Sequence, residues 1–169
     1  MKCSHFALII VSGLMWLLIG AFLMTLGMHH IMNVVQNWEV MLRLHSFSFL
    51  KFLAPFVSSE EKAMSVLVFI CLLVGYLKGR FVLMKTVKRG VQRIISYPNP
   101  APLMQLYSKK YYLLIALMMG LGFLLKSLHL AEDVRGAIDL AIGSALLKGA
   151  LSYFHFAFQE RKGSLMREV

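Results

Sequence analysis

Residues 6–28 read FALIIVSGLMWLLIGAFLMTLGM. No charge interrupts the run, and its length suits a helix crossing a hydrocarbon core about 30 Å thick. A helix at a soluble surface keeps a polar face, whereas this one is apolar all round. The competing reading is a cleavable signal peptide, whose apolar core would be about 7–15 residues with a small-residue exit. Gly27-Met28-His29-His30 is a poor cleavage site, and Cys3 has no apolar stretch before it to serve as a lipoprotein acylation site. The segment is expected to stay as a first membrane span.

Three further segments repeat this character, at 63–84, 111–130 and 134–158. The 169-residue chain is 59% hydrophobic and 15% charged, against roughly 45–50% and about 25% for soluble domains. The expected fold is all-α: a single polytopic membrane domain with four transmembrane helices arranged as two hairpins. Cys3 and Cys71 form no C-x-x-C pair, so neither a disulfide framework nor a thiol-based metal motif is expected.

Charge sets the orientation. Lys78, Arg80, Lys85, Lys88, Arg89, Arg93, Lys109 and Lys110 follow one another with no acid between them. The other loops balance their charges: Arg43, Lys51 and Lys62 against Glu39, Glu60 and Glu61, then Lys126 and Arg135 against Glu132 and Asp133. By the positive-inside rule the middle loop is cytoplasmic and both termini are inside. Lys2, Arg161, Lys162 and Arg167 agree. The net charge of +10 thus belongs to a membrane border, and nucleic acid is not an expected partner.

Between the spans, Val34, Val35, Trp38, Met41, Leu42, Leu44, Phe47 and Leu50 recur at mostly helical spacing within 31–57. This predicts an amphipathic helix in the outer interface, anchored by Trp38 and several phenylalanines. Ser58-x-x-Glu61 reads as a capping box opening the second span. Beyond that span, Lys78, Lys85, Lys88, Arg89 and Arg93 share one arc of a helical wheel, with Leu83, Val87, Val91 and Ile94 on the other and Arg80 as the exception. The basic segment 85–110 therefore begins as an amphipathic extension of the second helix. It is expected to end at Pro98-Asn99-Pro100-Ala101-Pro102, which favours extended backbone. Lys85, Lys88, Arg89 and Arg93 are candidates for contact with anionic lipid headgroups; setting topology alone is the simpler role for them.

Small residues prepare helix contacts. Gly13, Gly20 and Gly27 lie seven apart on one face of the first span, and Ala141, Ala145 and Gly149 form a ridge on the fourth. Such faces let helix backbones approach closely in lipid.

Leu-Lys-Gly occurs at 77–79 and again at 147–149. This recurrence in two inward-running helices suggests a parallel 2+2 repeat, against which the flanking residues align poorly and spans one and three share little beyond Leu-Leu-Ile. Lys78 stands near a span end, where its stem can snorkel to the interface. Lys148 is deeper. Ser144, Lys148, Ser152 and His155 fall within about 80° on the wheel, while Asp139 projects away and is better placed for Arg135. An unpaired lysine at this depth loses its charge, snorkels, or binds an anion. The third outcome makes Ser144, Lys148, Ser152 and His155 a ligand-binding site for a phosphate or carboxylate.

The stretches KGRFVLMKTVKR (78–89), YSKKYYLLIALMMGLG (107–122) and DVRGAIDLAIGSALLKGA (133–150) resemble segments of small bacterial inner-membrane proteins of similar length with four transmembrane helices. The likeness implies that membrane as the location and implies no activity. HExxH, GxSxG and paired intramembrane carboxylates are lacking, and His155 with Ser152 is a routine helical pair, so no enzyme and no cofactor are expected. The expected function is binding or transport of an anionic lipid or small anion. The alternative is a non-catalytic assembly or accessory subunit, with a second copy or another membrane protein as partner.

Overall fold

Ser4 opens the first helix: its hydroxyl accepts the Ala7 N–H at 3.3 Å, and α1 runs through His5–Gln36. The computed structural model describes residues 2–37, 39, 48–57, 59–96, 101–102, 120, 127 and 130–167. Nothing between Met28 and Gln36 breaks a helix, so α1 continues past the expected end of the first span. Asn37 closes it with its side-chain amide on the Asn33 carbonyl at 2.9 Å. Ile31 and Val34, expected to begin a separate interfacial helix, are buried residues of α1. Of the remaining interfacial segment, a short helix α2 (Phe49–Leu53) and a 3₁₀ turn (Ala54–Phe56) are described. Trp38, Met41, Leu42, Leu44 and Phe47 lie outside the described residues. Phe52 and Phe56 are exposed, with ring centroids 6.1 Å apart.

The second span opens as α3 (Glu60–Lys78), with Ser59 at its N-cap and no side-chain cap bond. The expected capping box rests on Ser58, which lies outside the described residues. A π turn (Gly79–Leu83) leads into α4 (Met84–Ile95). Each residue of a π turn rotates the chain less than an α-helical residue, so five of them set the following stripe back by roughly a quarter turn. That rotation brings Val87, Val91 and Ile94 to the side Gly75 and Gly79 already face, and all three are buried. It also takes Lys78 out of register with Lys85, Lys88, Arg89 and Arg93, a phase shift that a uniform wheel misses.

The chain after α4 touches its own beginning. Ala101–Pro102 (β2) pairs antiparallel with Lys2–Cys3 (β1), Lys2 opposite Pro102. Apart from this two-residue pairing, the described fold is helical. Of residues 111–130, where the third span is expected, only Gly120, Ser127 and Leu130 are described. The last helix, α5, runs Glu132–Arg167, extending beyond 134–158 at both ends. Among the described residues, three helices are long and apolar enough to cross a membrane: His5–Gln36, Glu61–Ile95 and Glu132–Arg161.

α5 forms the principal contact of both α1 and α3, so the first helix packs mainly on the last and only slightly on its sequence neighbour. Gly13, Gly20 and Gly27 make the α1 contact possible, as their spacing predicts. A Cβ added to Gly20 would lie 3.0 Å from the Gly143 carbonyl oxygen, and one on Gly27 would lie 2.7 Å from that of Gly136. The answering face of α5 has the same seven-residue spacing: Gly136, Gly143, Ala150 and Ala157, all buried. Where both backbones are this bare, dispersion and weak Cα–H···O contacts replace a hydrophobic driving force that lipid does not supply.

The ridge Ala141/Ala145/Gly149 is divided between two neighbours. Ala141 and Ala145 receive Gly75 and Gly79 from the α3 side, whereas Gly149 receives the ring of Trp16 from α1. At the end holding the N-terminus, Leu8, Ile9, Trp16, Val87, Val91 and Tyr153 share one core. At the far end, Ile31, Leu50, Ala63, Leu67 and Leu140 share another. Phe6 meets Phe158 edge-on at 6.3 Å, so the start of α1, α4 and the later part of α5 lie at one end. Large exposed apolar side chains run from Val11 to Met32 on α1 and from Val66 to Val82 on α3 and the π turn. This belt suits a bilayer interior.

Candidate functional site

The two Leu-Lys-Gly stretches meet. A Cβ on Gly79 would lie 2.9 Å from the Cβ of Lys148, so the bare backbone of the first motif seats the lysine stem of the second. The two sites are not equivalent, because Gly149 faces Trp16 on the other side of α5.

Lys148 is half-buried. Its Nζ stands 5.2 Å from the ring centroid of Tyr76, one turn back along α3 from Gly79. The side chain therefore extends toward the helix N-termini, as helical side chains do, and away from the end bearing the basic residues. Snorkelling toward that end is not the path it takes. Among the described residues no carboxylate is within ion-pair distance of it. Asp139 instead lies in electrostatic range of His30 and Arg135, as its wheel position predicts. A lysine near a helix centre costs roughly 2.5–3.5 kcal/mol on insertion scales. A cation–π contact returns about 0.5–2 kcal/mol, so the ring offsets only part of that cost.

The three other members of the expected site are disposed differently. Ser144 packs against Gly75 and donates to the Ala141 carbonyl at 3.1 Å. Ser152 is buried and donates to the Lys148 carbonyl at 3.0 Å. Both hydroxyl protons are thus engaged by the helix itself, leaving only oxygen lone pairs to face outward. That suits packing better than anion recognition. His155 is exposed, with Nε2 3.0 Å from Gln159 Nε2. Two turns further along α5 from Lys148 and on the same face, it is at the helix surface.

On α4, Lys85, Lys88, Arg89 and Arg93 are exposed while the opposite stripe is buried against α1 and α5. The amphipathic pattern is as expected, but protein rather than lipid covers the apolar face. The basic face is thereby held rigidly outward. Lys78 is also exposed. It precedes Gly79 and so projects to the flank of the seam opposite Tyr76, which follows Gly75.

Two features have no forewarning in the motifs. Asp133 is fully buried; its Oδ2 accepts the Ser48 hydroxyl at 2.7 Å and the Leu50 N–H at 3.0 Å, tying α2 to the start of α5. An apolar cavity of about 320 Å³ lies between α2, α3 and α5, lined by Phe49, Leu53, Leu67, Cys71, Val74 and Ile138 among others. Val74 and Tyr76 flank Gly75 on opposite sides, so the cavity and the Lys148 ammonium open on opposite flanks of the seam. Among the described residues no three His, Cys, Asp or Glu side chains gather as a metal site.

No family model, curated protein or solved structure matches the chain. The functional reading therefore rests on the residues themselves.

Proposed function

We propose that the protein is a multi-pass bacterial inner-membrane protein that binds or carries an anionic lipid or small anion, with Lys148 as the counter-charge. The observation that carries this reading is the Lys148 ammonium over Tyr76, in the apolar belt, with no carboxylate beside it among the described residues. An anion at that point supplies the stabilisation that the aromatic ring leaves wanting. The exposed row Lys85, Lys88, Arg89 and Arg93 raises the local concentration of anionic headgroups, at about 1 kcal/mol per charge near the surface.

Both termini are read as cytoplasmic, in a four-span topology with 111–130 as the remaining crossing. Support comes from the chain ends on either side of it. Ala101–Pro102 pairs beside the N-terminus, while Ala131 leads into α5 at the opposite end, so residues 103–130 join the two ends. The alternative reading, an accessory subunit, rests on small-residue faces for a partner helix and on the lack of a complete catalytic site; among the described residues those faces receive α1, α3 and α5 of the same chain.

The test is binding of anionic lipid and of inorganic phosphate to the full chain in bilayers, wild type against Lys148→Gln. Gln keeps the stem that rests on Gly79. Loss of binding of either probe supports the reading, and unchanged binding of both in a folded variant overturns it.

A further inference from the structure

Arg80 lies off the basic stripe of the second helix, and the seam gives it a place. Gly75 and Gly79 face α5; Tyr76 and Arg80 each follow one of these glycines by a single residue and so project to the same flank. Lys148 reaches that flank, since its Nζ stands over Tyr76. His155 lies seven residues on from Lys148, on the same face of α5, and is exposed. Arg80 is exposed, with no acidic partner among the described residues. Two cations and an imidazole thus border one flank, descending from the apolar belt toward the basic end.

The flank opens sideways. Leu151, one turn below Lys148, is 59% exposed, and Tyr76 is 43% exposed. Both lie on the exposed face of the apolar belt; with acyl chains against that belt, an anion arriving from water would have to pass through hydrocarbon. A headgroup already attached to an acyl chain meets Arg80 first and Lys148 next without leaving the bilayer.

We infer that this flank is a lateral site for the phosphate of a lipid from the leaflet at the basic end, held by Arg80 and Lys148 with Tyr76 as its wall and His155 at its mouth. This deepens the proposed anion binding and rests on it. It decides between lipid and free anion, and it adds Arg80 as a second binding residue. Arg contributes a planar fork suited to phosphate oxygens, whereas Lys contributes a point charge.

The test uses the full chain in phosphatidylcholine bilayers doped with phosphatidylglycerol, with retained lipid counted by native mass spectrometry. Inorganic phosphate in pure phosphatidylcholine bilayers is the second probe. Lys148→Gln and Arg80→Gln should each reduce retained phosphatidylglycerol about fivefold, Lys62→Gln should leave it unchanged, and inorganic phosphate should neither bind nor displace it. If phosphate binds the wild type but not Lys148→Gln, the anion site stands and the lipid inference falls. If Arg80→Gln behaves as wild type while Lys148→Gln loses lipid, Arg80 is not part of the site. Independence of both probes from Lys148 removes the proposed function together with this inference.

Discussion

The stem of Lys148 occupies the space that a side chain on Gly79 would need, at a Cβ-to-Cβ distance of 2.9 Å. The other near atoms belong to the Ala145 backbone, at 3.0 and 3.2 Å, and cannot move aside as a side-chain tip could. Gly79→Val should therefore separate the helices and displace the lysine. We expect a loss of ~1–3 kcal/mol, measured as a lower unfolding midpoint in mixed micelles. Anionic lipid binding should fall with it, since the ammonium leaves the ring.

The contact between Gly27 and Gly136 is limited by backbone on both sides, each added Cβ meeting the opposing carbonyl oxygen at 2.7 Å. Gly27→Leu and Gly136→Leu should each destabilise more than Gly79→Val does. The double variant should cost less than the sum, because the first substitution already parts the helices. A full additive loss in the same unfolding assay would contradict the shared contact.

Tyr76 stabilises Lys148 through its ring face rather than its hydroxyl. Tyr76→Phe should be nearly neutral, and Tyr76→Leu should cost ~0.5–2 kcal/mol. The difference between the two variants should shrink when anionic lipid is present, since the lipid then supplies the counter-charge. Unfolding midpoints of the two variants, with and without phosphatidylglycerol, check this.

Asp133 anchors α2 from a distance of more than eighty residues in sequence, through Ser48 and the Leu50 amide. Asp133→Ala strands that amide in a buried place and should cost ~1–3 kcal/mol. Hydrogen exchange at Leu50 should accelerate, while exchange in the middle of α1 stays slow. Adding Ser48→Ala should cost a further ~0.5–2 kcal/mol, because the Ser48 hydroxyl also caps α2 by accepting the Lys51 N–H at 3.2 Å.

The exposed face of α4 can be discharged without touching its buried stripe. Replacing Lys85, Lys88, Arg89 and Arg93 by Gln should leave the helix docked and weaken attraction to anionic bilayers by about 1 kcal/mol per charge. It should also weaken the bias of topology, measurable by labelling cysteines placed in the two ends of the chain.

Much of this fold is legible in the sequence because lipid imposes simple rules. The run at 6–28 announces a helix, the heptad of glycines announces a close contact, and the stripe Val87/Val91/Ile94 announces a buried face. What the wheel cannot show is a change of phase. The π turn at Gly79–Leu83 rotates everything after it, so Lys78 leaves the basic arc and protein covers the apolar stripe of α4. The main described partner of α1 is harder to read: the seven-residue spacing of Gly136, Gly143, Ala150 and Ala157 that answers its glycines lies more than a hundred residues away in sequence.

The site divides in the same way. Lys148 stands out in sequence as an ionisable residue in an apolar helix. Its place over Tyr76 depends on which flank of another helix a residue occupies, and only the seam fixes that. Ser144 and Ser152 share its arc yet bond back to their own helix, since a hydroxyl at such positions finds the carbonyl three or four residues earlier. Asp133 looks like loop charge because its partners, Ser48 and Leu50, are remote in sequence.

The central claim is that an anion meets Lys148 within the membrane. The measurement closest to it is ¹⁵N–³¹P dipolar recoupling by solid-state NMR, on lysine-labelled protein in bilayers containing phosphatidylglycerol, with Lys148→Gln used to assign the Nζ signal. The account predicts that the signal absent from Lys148→Gln is dephased by phosphorus at hydrogen-bonding range. A Lys148 Nζ signal without phosphorus dephasing, in bilayers where the α4 lysines are dephased, would contradict it.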